Sequence, residues 1–176
     1  MKNAIIKTLV AASLAVMAGG AMADTGKIAF QGVITQGACT LGAGQQGTNM
    51  VVDMPQVPAN KFTAAGDRSP AADFSITLLD CDVTTLNTAA FSFRPDAGSV
   101  VGTGLLSLEN AGGAQNIAIR LEDDAGTQIL FGGAAKSFTL VKGNNVLNFK
   151  AYFEATATGV TAGNARARAF FDVTYS

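Results

Sequence analysis

The amino-acid sequence predicts an all-β fold, a sandwich of short strands, and three observations lead there. No long helical period runs through residues 24–176; short alternating or β-branched runs recur instead, separated by Gly, Asn, Asp and Pro. Charged residues make up only 14% of the chain and Trp is absent, while Ala, Gly, Thr, Val and Phe are plentiful, a composition suited to an exported β-domain. Finally, Ala165, Ala167, Ala169, Phe171, Val173 and Tyr175 alternate with Arg166, Arg168, Asp172 and Thr174, with Phe170 the one apolar exception. That period of two marks a strand with one buried face. As the last segment of the chain it leaves an apolar edge open, and an unpaired edge invites another strand.

Residues 1–23 read as a secretory signal. Lys2 and Lys7 form the basic start, Thr8 to Met17 is almost wholly apolar, and Ala21-Met22-Ala23 is a small-x-small cleavage site. The apolar run is too short for a membrane anchor. Removing 23 of the 176 residues leaves 153, one domain's worth of chain. Two of the 12 basic residues leave with the signal, so ten face 13 acidic ones and the mature charge is −3. This balance does not favour a nucleic-acid partner.

Strands are expected at Lys27–Thr35, Asn49–Met54, Phe74–Cys81, Ala89–Arg94, Asn116–Leu121, Thr127–Phe131, Ser137–Leu140, Asn145–Glu154 and Ala165–Tyr175. Turn signals separate them at Asp123-Asp124-Ala125-Gly126, Gly132-Gly133 and Gly143-Asn144, and Pro55 to Pro70 reads as a loop or crossover. Many short strands at this spacing indicate an immunoglobulin-like sandwich. Leu147, Phe149, Ala151 and Phe153 form one apolar face, and the alternation Ser75, Thr77, Leu79, Cys81 sends Cys81 towards the core together with Leu79.

Cys39 and Cys81 are the only cysteines. An even number in an exported chain reads as one disulfide, the alternative being two buried free thiols. The chain has no histidine, which removes the commonest general base and metal ligand and rules out serine–histidine and cysteine–histidine catalysis. Gly42-Ala43-Gly44 and Gly112-Gly113 lack the lysine or helix of a phosphate-binding loop. Glu122-Asp123-Asp124 could hold calcium weakly, but its place before Ala125-Gly126 reads as a solvated hairpin. Arg166 and Arg168 read either as a docking pair for a partner or as solubilising charges on an edge strand. No enzyme activity, cofactor, metal or small-molecule substrate is expected.

The two ends complement each other. Asp24-Thr-Gly26-Lys-Ile28-Ala-Phe30-Gln-Gly32-Val33 alternates Gly26, Ile28 and Phe30 against Thr25, Lys27 and Gln31, and Cys39 follows seven residues after Gly32. This segment resembles the N-terminal extension of type 1-family pilins of the bacterial chaperone–usher pathway. Leu79-Asp80-Cys81-Asp82, Asn116-Ile-Ala-Ile-Arg-Leu with its acidic turn and Gly126, Ala151-Tyr152-Phe153, and Gly163 with the penultimate Tyr175 continue the resemblance over the whole mature chain.

The resemblance implies an incomplete immunoglobulin-like sandwich lacking its last strand, completed by donor-strand complementation. It implies a signal at 1–23, a donor extension at 24–35 and a pilin domain at 36–176. Gly26, Ile28 and Phe30 would donate to a neighbour; Ala169, Phe171, Val173 and Tyr175 would line or border the acceptor groove, with Gly163 starting the final strand. The implied partners are other copies or sister pilins, a periplasmic chaperone and an outer-membrane usher, and the implied location is a surface fimbrium. Whole-chain similarity favours a major rod subunit over a minor adaptor. The alternative is a secreted monomeric sandwich that binds carbohydrate or protein.

Overall fold

The computed structural model describes Ala29 and residues 38–109 and 112–176. The chain divides into two compact units, Met1–Ile34 and Thr35–Ser176, and the fold below is that of the second. The expected strand at Lys27–Thr35 lies outside the described residues.

Among the described residues there are ten strands: β1 (Thr40–Leu41), β2 (Ala72–Cys81), β3 (Thr88–Ala97), β4 (Val100–Val101), β5 (Leu105–Ser107), β6 (Ile117–Asp123), β7 (Gln128–Ile129), β8 (Lys136–Thr139), β9 (Gly143–Ala155) and β10 (Arg168–Tyr175). They form two antiparallel sheets, one ordered β1-β2-β9-β6-β5-β4 with β7 also on β6, the other β10-β3-β8. Short 3-10 turns occur at Gly44–Gln46 and Ala59–Lys61. The sequence reading of a β-sandwich holds.

The inner faces meet through aromatic rings. Phe149 on β9 lies 5.4 Å from Phe74, 5.7 Å from Phe93 and Phe138, and 6.1 Å from Phe91 between centroids. Offset and edge-on rings at these distances pack the two sheets against each other. Ile76, Leu78, Leu121 and Ile129 complete the core beside them. A smaller cluster of Phe62, Phe153 and Ala155 lies under the loop carrying Met54 and Val57.

One parity prediction fails for a local reason. Ile76 and Leu78, not Thr77 and Leu79, face the core, yet Cys81 is buried with them. The β2–β9 register shifts between Leu78 and Cys81, and Asp80 adopts a φ of 51°. A bulge of this kind changes which face the next residue occupies. The Asn144 side chain accepts from the Asp80 N–H at 3.1 Å and replaces a ladder bond there. Cys81 is thereby turned inward and joined to Cys39, with no free cysteine remaining.

The acidic turn also differs from the solvated hairpin expected of it. Only Asp124 is exposed; Glu122 and Asp123 are buried. Asp123 accepts from the Thr127 N–H at 2.7 Å and pairs with Lys136 Nζ at 2.6 Å, tying β6 of one sheet to β8 of the other. Glu122 and Glu154 alternate with Arg68 and Arg120 in a ring of four ion pairs between 2.6 and 3.3 Å. The register of β6 on β9 sets Ala118 against Glu154 and Arg120 against Tyr152, which brings these charges together.

Candidate functional site

The final strand is shorter than its alternation suggests. β10 begins at Arg168 and pairs with β3 from Arg168↔Ala97 to Tyr175↔Ala89. Residues 161–166 belong elsewhere: Thr161 bridges Gln115, the Ala114 N–H donates to Asn164 O at 3.0 Å, and the Glu109 N–H donates to Arg166 O at 2.8 Å. Gly163 therefore does not start the strand. It passes so close to 113–114 that a Cβ would sit 2.5 Å from Ala114 N and 2.6 Å from Gly113 C.

Arg168 marks the point where the chain leaves one partner for the other. Its Nε lies 3.3 Å from Asp96 on β3 and 2.8 Å from Glu109 Oε1. The latter oxygen is buried and receives no aligned hydrogen bond among the described residues, so that contact is charge attraction. Arg168 is engaged within its own domain and is also a 62% exposed charge on an edge strand, in keeping with the solubilising reading of the pair. The exposed Phe170 is explained similarly: the Arg94 guanidinium lies 4.5 Å above its ring and pairs with Asp172 at 3.1 Å.

On its other face β10 presents Phe171, Val173 and Tyr175, each half-buried, whereas Ala169 is exposed. Phe171 stacks on Phe91 at 6.0 Å and lies tilted against Phe93 at 6.1 Å between centroids. Burial holds the Tyr175 phenol above its usual pKa. Along its second edge β10 has no strand neighbour among the described residues.

Beside that edge runs a groove of about 1250 Å³. Its floor is apolar, with Phe74, Ile76, Leu106, Ile119 and Phe153 among the lining side chains. One wall is residues 160–171, which includes Gly163, Ala169 and Phe171; the other is the coil 47–57. Val173 and Tyr175 lie further along β10, against Phe91 and Ala89 of β3. Gly26, Ile28 and Phe30 fall outside the described residues.

The far wall, where the sequence predicts the strand Asn49–Met54, is not part of a strand ladder among the described residues, and Asn49 bonds only back to Gly44 O at 2.9 Å. Met50, Val52 and Met54 are half-buried while Val51 and Asp53 are exposed, the alternation of a strand. Among the described residues no main-chain bond joins 50–57 to a neighbour. A strand pattern without a ladder is the signal that sequence reasoning could register but not interpret.

The described molecule is thus an immunoglobulin-like sandwich with an apolar groove between two unpaired backbone edges. The fimbrial protein family model matches residues 28–176, and the chain belongs to that family. It is 36% identical to the probable major fimbrial subunit LpfA of Escherichia coli O157:H7, over 85% of this chain and 83% of that one. It is 33% identical to the type 1 fimbrial subunit of Klebsiella pneumoniae, over 99% of this chain and 100% of that one. A solved chaperone–usher pilus chain, from work on rod uncoiling, superposes with a TM-score of 0.67 at 25% identity, covering 87% of this chain and 96% of that one.

Proposed function

We propose that this chain is a structural, non-enzymatic subunit of a chaperone–usher fimbria that polymerises head to tail by donor-strand exchange. The observation that carries the reading is the groove between β10 and the unpaired segment 50–57. An added strand would complete both edges at once, with main-chain bonds for attachment and alternate side chains for register. Its apolar floor suits Ile28 and Phe30, each worth about 1.5–3 kcal/mol when buried. Gly26 would pass where the groove is shallow. In this scheme 1–23 is the export signal, 24–35 the donor extension and 36–176 the acceptor domain.

Head-to-tail donation does not close on itself and so builds a fibre. Unassembled subunits need their groove covered, which assigns a periplasmic chaperone and an outer-membrane usher as partners on the route to the cell surface. Similarity to a probable major fimbrial subunit and to a pilus rod chain supports a rod subunit over a minor adaptor.

The test is deletion of residues 24–30. The truncated subunit should fold with its chaperone but fail to donate, abolishing the heat-sensitive ladder of multimers in detergent electrophoresis of surface-sheared material. An undiminished ladder overturns the proposal. Gly26→Leu should leave the disulfide intact and lower polymer yield; an unchanged yield and dissociation temperature would reject the assigned donor register.

A further inference from the structure

Gln45 sits in the 3-10 turn Gly44–Gln46, and its side chain reaches Val51. Oε1 accepts from the Val51 N–H at 2.5 Å and Nε2 donates to Val51 O at 3.3 Å. One carboxamide thus satisfies both backbone groups of one residue, as a neighbouring strand would. Gln45 is absent from the groove lining, although Gly47 to Val57 form its wall. The brace therefore attaches to the side of the segment facing away from the groove.

In an extended chain successive residues direct their N–H and C=O groups to opposite edges. With the Val51 pair held outward, those of Met50 and Val52 face the groove. We propose that Gln45 is a positioning residue that holds the 50–54 edge open and fixes which main-chain groups receive an incoming strand. The occupant rests on the donor-strand reading above; the brace itself does not.

Residue-resolved hydrogen exchange tests this on the full-length mature protein. In unassembled protein held in its chaperone complex, Gln45→Ala should speed exchange at the Val51 amide about five- to tenfold, the scale of one lost hydrogen bond. Gln45→Glu keeps an acceptor and should retain most of that protection. In the wild-type chaperone complex and in the polymer alike, each with a strand in the groove, the Met50 and Val52 amides should be protected, and the Val51 rate should differ little between the two. Polymer should form more slowly from Gln45→Ala than from Gln45→Glu.

An unaltered Val51 rate in Gln45→Ala would dismiss the brace, and unprotected Met50 and Val52 amides in the polymer would reject the assigned edge. The donor-strand reading fails separately, if deletion of residues 24–30 leaves the polymer intact.

Discussion

Gly163 and Asp123 show how single residues fix distant parts of the chain. At Gly163 the obstruction to a side chain is backbone on both counts, Ala114 N and Gly113 C, which cannot rotate away. Gly163→Ala should therefore cost about 1–3 kcal/mol, seen as a lower urea midpoint of the full chain. Burial pushes the Asp123 carboxyl towards neutrality, but the Lys136 ammonium and the Thr127 and Ala125 N–H groups more than offset this, so its pKa falls below the ordinary value. A lowered pKa contributes stability above the unfolded carboxyl's value, near 4, that is lost as pH falls through the folded one. Asp123→Asn should accordingly flatten the pH dependence of the melting temperature below about pH 4. An equally steep acid limb in the variant would show that the Lys136 contact contributes nothing.

At the scale of elements, β9 and β6 carry both the core and its electrostatic cover. Phe149 is fully buried and touches four other rings. Phe149→Ala should cost about 3–5 kcal/mol, measured by denaturant unfolding. Across the same two strands, Arg120 holds Glu122 and Glu154 together, and all three side chains are 13% exposed or less. Arg120→Met leaves two carboxylates facing each other with only Arg68, itself 40% exposed, to separate them. The expected loss is about 3 kcal/mol, and Arg120→Met with Glu154→Leu should recover part of it.

Much of this organisation was legible because strand alternation reports burial directly. Leu147 to Phe153 read correctly since β9 runs without a bulge across that stretch. Thr77 and Leu79 did not, although Cys81 is buried as expected, because the shift at Asp80 is made by backbone conformation, which alternation does not encode. The charge ring was invisible for a different reason: Arg68 stands 54 residues from Glu122 and 86 from Glu154. β1, β4 and β7 were missed or overextended because two paired residues leave no period to read. For the groove, the sequence indicated β10 and a strand at Asn49–Met54. That the two stand across a groove depends on tertiary packing alone.

Over the whole molecule, the Cys39–Cys81 bond links residues 42 apart, joining the start of the described domain to the end of β2. Its loop-closure contribution is roughly 4 kcal/mol. The Cys39→Ser, Cys81→Ser double variant should melt well below the parent, and equal melting of the two would place the bond's role elsewhere. β10, by contrast, is held by its ladder on β3 over eight paired positions and by Arg168 at its start. A pull along the axis of β10 would load all those pairs together, in shear. A pull at right angles would strip them one at a time, beginning at whichever end gives first. Tension directed down such a strand therefore meets a far higher barrier than tension across it, and resistance to forced unfolding is set by that barrier.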